Sequence, residues 1–257
     1  MPTSAPPANF GWYELMTTDT AAAGAFYSNV VGWTTREVGA PPMPYTTFEV
    51  NGVGVAGMMT LPKDAGPMPA WIGYIHVPDV DAAVDRVVAA GGKMHKEPTD
   101  VPGMLRFSVV IDPQGAAFIL FTASPNMPSP TRPGPGSPGT IGWHELMAVD
   151  GAAAFDFYSS QFGWTKGEAH DMGPMGTYQL FDINGVPSGG MMTKPPNLPS
   201  PFWSFYFQVD GIKAALDRVK AAGGKVVNGP APVPGGSWIL QATDPQGAFF
   251  CLVSATE

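Results

Sequence analysis

The sequence predicts an α+β fold made of four βαβββ units, two in each half of the chain. Three observations carry this expectation. The 257 residues repeat themselves once, at an offset of 131 to 133 positions. Inside each repeat, segments that alternate with a period of two flank helical segments whose apolar residues recur every four positions. Between the repeats lies 123–140, where 12 of 18 residues are Pro, Gly or Ser, too little apolar matter for a core and suited to an extended, partly stiff connector. The expected domains are therefore 1–122 and 141–257, joined by 123–140, with each half closing a cup of its own.

The repeat runs through the whole chain. Gly11-Trp12-Tyr13-Glu14-Leu15-Met16 returns as Gly142-Trp143-His144-Glu145-Leu146-Met147. Phe26-Tyr27-Ser28 with Gly32-Trp33 returns as Phe157-Tyr158-Ser159 with Gly163-Trp164. Gly57-Met58-Met59-Thr60 returns as Gly190-Met191-Met192-Thr193, and Asp112-Pro113-Gln114-Gly115 as Asp244-Pro245-Gln246-Gly247. A period this long describes two copies of one fold, not a solenoid of short units.

Element by element, Trp12–Met16 alternates as a strand, and Asp19 is placed to cap a helix that carries Ala22, Phe26 and Val30 and stops at Gly32. A short strand follows near 32–38. Tyr45–Val50 and Val53–Thr60 read as strands joined by Asn51-Gly52, a pair that tolerates the positive φ angles of a two-residue hairpin. The pattern restarts at Trp71. Ile72–Val77 is a strand, Asp79–Ala90 a helix with Gly91 just past its end, and Leu105–Ile111 and Ala117–Phe121 are strands turning through Gly115.

Composition narrows the partners. Only 13% of residues are charged, and 13 basic against 21 acidic side chains leave a net charge of −8 with no Lys/Arg cluster. A nucleic-acid backbone or an anionic membrane surface is therefore not an expected partner. The single Cys251 permits neither an intrachain disulfide nor a Cys-based zinc site. The first ten residues lack the basic and apolar regions of a signal peptide, and no apolar run reaches 18 residues. The expectation is a cytoplasmic protein whose partner is a small molecule. The oligomeric state is left open.

Paired βαβββ units, the Phe-Tyr…Gly-Trp helix ending and the Asp-Pro-x-Gly turn before a last strand resemble the vicinal oxygen chelate superfamily, which includes glyoxalases, bleomycin- and fosfomycin-resistance proteins and extradiol dioxygenases. The resemblance extends over both halves, and the Gly-Trp-x-Glu-Leu-Met form is similar to a two-domain, glyoxalase-like bacterial subfamily. It implies a curved mixed sheet with a concave cup in each half. In metal-using members four strands present His, Glu or Gln ligands into that cup. The implied positions here are Trp12 and Trp143, the strand around Gly57-Met58 and Gly190-Met191, Ile72 and Ser204, and Ile119 and Cys251. None holds a His or a carboxylate, so no metal ligand and no cofactor is assigned.

The remaining candidates follow from strand alternation. Trp12 and Glu14 share a face, as do Trp143 and Glu145. A carboxylate beside an indole in a desolvated pocket has a raised pKa and can bind a cation or move a proton, which makes Glu14 and Glu145 the catalytic candidates. They can equally accept structural hydrogen bonds. Ile72, Tyr74 and His76 share a face, with counterparts Ser204, Tyr206 and Gln208. The expected ligand-binding set is Trp12, Glu14, Tyr74, His76, Trp143, Glu145, Tyr206 and Gln208. His144 should face away from Glu145, Cys251 reads as a buried thiol, and His95 and His170 fall in polar, loop-like stretches. The Met pairs 58–59 and 191–192 suit either an adaptable cup wall or the core.

The function that fits these residues is binding of a small apolar or aromatic molecule without the usual metal, with drug sequestration as one form. Two alternatives stay open. One is a lyase, isomerase or hydroxylase of the same superfamily using Glu14 or Glu145, and the other is a regulatory interaction module with degenerate pockets.

Overall fold

The computed structural model describes residues 8–39, 44–63, 66, 68–125 and 133–257. The expectations for the first residues of the chain and for 126–132 of the connector lie outside the described residues. Four βαβββ modules follow one another. The first is β1 (Phe10–Thr17), α1 (Thr20–Val31), β2 (Thr34–Glu37), β3 (Thr46–Val50) and β4 (Val53–Thr60). The second is β5 (Ala70–His76), α2 (Val80–Ala89), β6 (Lys93–Val101), β7 (Leu105–Ile111) and β8 (Ala117–Ala123). The third is β9 (Ile141–Ala148), α3 (Gly151–Phe162), β10 (Thr165–Asp171), β11 (Thr177–Ile183) and β12 (Val186–Thr193). The fourth is β13 (Phe202–Gln208), α4 (Ile212–Ala221), β14 (Lys225–Pro232), β15 (Trp238–Thr243) and β16 (Phe249–Ser254).

Each half forms one mixed eight-stranded sheet, in the order β2-β3-β4-β1-β5-β8-β7-β6 and β10-β11-β12-β9-β13-β16-β15-β14. Strands β1 and β4 run parallel, as do β5 and β8, and the hairpins are antiparallel. The local signals act as expected. Asp19 accepts a hydrogen bond from the Ala22 amide at 2.9 Å to start α1, and Gly32 ends it at φ 88°. Asp150 and Gly163 do the same for α3. Strands β6 and β10 occupy the stretches that read as loops, and they carry His95 and His170. Residues 93–97 are all exposed on this edge strand, so no apolar alternation marks it in the sequence. Among the described residues, no helix is long and apolar enough to cross a membrane.

Packing groups the modules differently from hydrogen bonding. One compact unit holds the described residues of Met1–Gly11, Gly73–Ser129 and His144–Trp203; the other holds those of Trp12–Ile72, Pro130–Trp143 and Ser204–Glu257. Each unit therefore joins one module from each half. In the second unit, the Tyr27 hydroxyl on α1 donates to Asp244 Oδ2 at 3.1 Å and accepts from the Trp71 indole at 2.8 Å. In the first, Tyr158 on α3 donates to Asp112 Oδ2 at 3.0 Å and accepts from Trp203 at 2.9 Å. The other oxygen of each aspartate closes its own Asp-Pro-Gln-Gly turn, accepting amides such as Gly115 at 2.7 Å and Ala248 at 2.9 Å. Burial pushes both phenols well above their ordinary range and also raises the Asp244 carboxyl.

The connector ends in an anchored stretch. Its last residues are held in place: the Trp33 indole donates to the Gly139 carbonyl at 2.7 Å, and the Gly139 amide donates to Gln208 at 2.8 Å. Gly139 has φ 84°, and a Cβ there would lie 3.1 Å from Trp33 Nε1, so the close approach requires glycine. The counterpart Trp164 donates to the Ala8 carbonyl at 2.7 Å. Composition cannot register that a buried indole N–H needs an acceptor, which is what turns this part of a Pro/Gly-rich segment into an anchor.

Replacing Tyr27 or Tyr158 by Phe leaves a buried aspartate oxygen without its donor, so each change is expected to lower unfolding free energy by about 1–3 kcal/mol. Chemical denaturation of the two variants against the parent checks this.

Candidate functional site

Strand register fixes which side chains reach the helix-free face of each sheet. Leu15 pairs with Met58, whose methyl group lies 3.2 Å from where a Gly24 Cβ would sit on α1, so both face the helix. Met58 is thus core. Glu14, paired with Gly57, faces the opposite way. There the Trp12 indole donates to Tyr45 Oη at 2.9 Å, and the Tyr45 hydroxyl in turn donates to Glu14. Glu14 is buried, and Tyr45 is held well above the usual phenol range by burial first and the Glu14 charge second.

The third module repeats the tyrosine–glutamate pair. Tyr178 Oη donates to Glu145 Oε2 at 3.1 Å, and Glu145 is again buried and paired in register with a glycine, Gly190. A Cβ on Gly57 or Gly190 would run into the phenol of Tyr45 or Tyr178. The resemblance places the second metal ligand beside these glycines. Glycine stands there because a tyrosine ring lies across the strand and carries its hydroxyl to the glutamate.

The other expected residues fall into further groups. Tyr74 is buried edge-to-face against Phe121 at 5.8 Å, and the exposed His76 meets the same ring at 5.4 Å. Tyr206 pairs with Cys251; both are buried, Gln241 donates to the Tyr206 hydroxyl at 2.9 Å, and Trp143 packs on this cluster with Ile239 and Phe249. Gln208 lies over Gly142, 3.0 Å from where a Cβ would stand. His144 donates from Nδ1 to the Ser188 carbonyl at 2.6 Å and stacks on Phe10 at 4.3 Å. Burial lowers its pKa to about 4.

This donor set does not fit the family's usual ion. Indole, glycine, isoleucine and a buried thiol occupy the implied positions, and among the described residues no group of three or more His, Cys, Asp or Glu converges to hold a metal. The arrangement offers instead a fixed indole face, a phenol and a buried carboxylate linked by hydrogen bonds. Tyr45 and Tyr178 are the site residues that sequence reasoning missed. Their signal was present: they repeat at the same offset of 133 as the glycines they cover.

The fold agrees with the comparisons to known proteins. The family model of the Glyoxalase/Bleomycin resistance protein/Dioxygenase superfamily matches residues 9–120 and 140–252. The chain belongs to this superfamily. It is 33% identical over 250 residues to CFP32 of Mycobacterium tuberculosis, a protein named as a glyoxylase, covering 94% of this chain and 93% of that protein. It is also 33% identical over 261 residues to the anthracycline biosynthesis protein DnrV of Streptomyces peucetius, covering 96% of this chain and 93% of the relative. Among solved structures, a Mn(II)-bound glyoxalase from Novosphingobium aromaticivorans matches 99% of this chain and 83% of its own with a TM-score of 0.67. At 18% identity that is a likeness of fold.

Two outcomes are expected. Gly57→Ala and Gly190→Ala must displace the overlying phenol, and each should cost about 1–3 kcal/mol in a denaturant titration, whereas Ala substitutions at exposed positions should be nearly neutral. For His144 the folded pKa, about 4, lies below the ordinary 6.5, so the unfolded chain binds the proton first. Its contribution to stability is complete above pH 6.5 and is lost as pH falls towards about 4. His144→Gln should flatten the pH dependence of unfolding free energy across that window.

Proposed function

We propose that the chain binds a flat apolar or aromatic small molecule on the helix-free faces of its sheets, without a metal. The observation that carries this reading is the Trp12–Tyr45–Glu14 hydrogen-bond chain, with its counterpart Tyr178–Glu145. The Trp12 ring is half-buried and held through its N–H, so one face offers apolar area at little further entropic cost. The phenol and carboxylate beneath supply a polar end. We extend the proposal to Tyr74, His76, Trp143, Tyr206 and Gln208, which share these faces by strand alternation. The name of the relative DnrV supports a fused-ring ligand. A cytoplasmic location and a division into 1–122 and 141–257 around 123–140 belong to the same proposal; the single, buried Cys251 supports the former and the family match the latter.

A second reading has one observation behind it. A buried glutamate that accepts a hydrogen bond from a phenol can accept a proton, and the glyoxylase name of CFP32 points to an enzyme. Glu14 and Glu145 then take the proton.

An uncharged anthracycline aglycone is a suitable probe. Calorimetry should show saturable binding that a chelator leaves unchanged. Trp12→Ala should weaken it by about 30- to 150-fold, the equivalent of ~2–3 kcal/mol of lost apolar contact, and Glu14→Gln should weaken it less. Unchanged affinity in Trp12→Ala, together with a lower Tm, would assign the indole to the core and overturn the proposal.

A further inference from the structure

One difference between the two halves on the helix-free face concerns a buried carboxylate. In the first half Glu49 is buried on β3, where it accepts from Arg36 Nε on β2 at 2.5 Å and from the Thr47 hydroxyl at 3.2 Å. In the second half Asp182 stands at the position of Glu49, Leu180 at that of Thr47 and Gly167 at that of Arg36. The geometry follows the sequence: a Cβ on Gly167 would lie 2.8 Å from Asp182 Oδ1 and 3.2 Å from the Leu180 Cβ. Asp182 Oδ1 is shut off from water against Gly167 and accepts no hydrogen bond from any described residue, while Asp182 as a whole is only half-buried, so the carboxylate keeps a side open to solvent.

A buried carboxylate oxygen without a donor is unfavourable, and charge-assisted donors satisfy it best. The first half meets this need internally. Its guanidinium arrives from the solvent side, since the Arg36 side chain is 62% exposed and that of Glu49 only 8%. The second half has the carboxylate and, with Gly167, no side chain at the matching position to pair with it. Asp182 shares strand β11 with Tyr178, the partner of Glu145, and sits on the same face by alternation. A net charge of −8 adds a general attraction for cations.

We propose that Asp182 receives a cationic group, an ammonium or guanidinium, carried by the ligand of the second half, and that the first half is closed to this group by Arg36. The inference rests on the ligand-binding reading above and adds the charge class of the ligand. It also makes the two halves unequal: a neutral aromatic molecule suits either, whereas an aromatic cation prefers the second.

The test uses a matched pair of probes on the intact chain, 2-naphthylmethylamine, which is cationic at neutral pH, and the neutral 2-naphthylmethanol. The amine is expected to bind about tenfold more tightly at low salt, as one charge-assisted hydrogen bond provides. Asp182→Asn should abolish that preference and leave the alcohol unaffected. Asp182→Glu, which keeps the charge, should retain a preference for the amine, and thermal melts show whether both variants are folded. Equal binding of the two probes by the parent chain, or a preference that survives Asp182→Asn, overturns the role of Asp182 while the ligand-binding reading stands. If neither probe binds, both fall together.

Discussion

Twice in this chain a buried tyrosine hydroxyl reaches a buried aspartate of the opposite half. Tyr27 finds Asp244 across 217 residues of sequence, and Tyr158 finds Asp112 across 46. Each aspartate is already committed to folding its own tight turn, so the turn cannot open without releasing the phenol, nor the phenol shift without loosening the turn. Around Tyr27 the rings of Trp33, Phe48, Trp71, Phe207 and Phe250 pack at centroid separations of 5.2 to 6.2 Å, drawing on modules from both halves. The helix-bearing face of each module is thereby committed to packing, which leaves the opposite face of the sheet to meet other molecules.

That opposite face reuses the same chemistry for a different end. Trp71, Tyr27 and Asp244 form a chain of indole, phenol and carboxylate, and so do Trp12, Tyr45 and Glu14. In the core chain the acid is tied to backbone amides of a turn. On the helix-free face it comes from the middle of a strand and lies under a half-buried indole. In a superfamily whose metal-using members place ligands on these strands, two glycines and two overlying tyrosines have redirected the position towards hydrogen bonding. The glutamate that remains is buried and partnered, which suits holding a ligand's donor or a proton better than gathering an ion.

Much of the fold was legible because its signals are local. Asp19 and Gly32 bracket α1, Asn51-Gly52 makes a hairpin, and Asp112-Pro113-Gln114-Gly115 makes a turn, each through backbone preferences of a few adjacent residues. Strand β6 was hidden because its first residues are exposed and carry no apolar pattern. The cross-half role of Tyr27 and Asp244 was hidden for a different reason: the residues are visible as repeated motifs, but which copy meets which is decided only in three dimensions. Trp12, Glu14, Trp143 and Glu145 could be placed on a face by alternation alone. Their tyrosine partners could not, because they come from another strand, and a repeated tyrosine reads equally well as packing.

The most direct test of this account is a crystal structure of the full chain grown with an uncharged fused-ring aromatic ligand. The account predicts density for the ligand against the Trp12 indole, within reach of Tyr45 and Glu14, with no metal ion between ligand and protein. Density for a transition metal held by residues of that face would contradict it. So would a ligand bound away from this face, with Trp12 left uncovered.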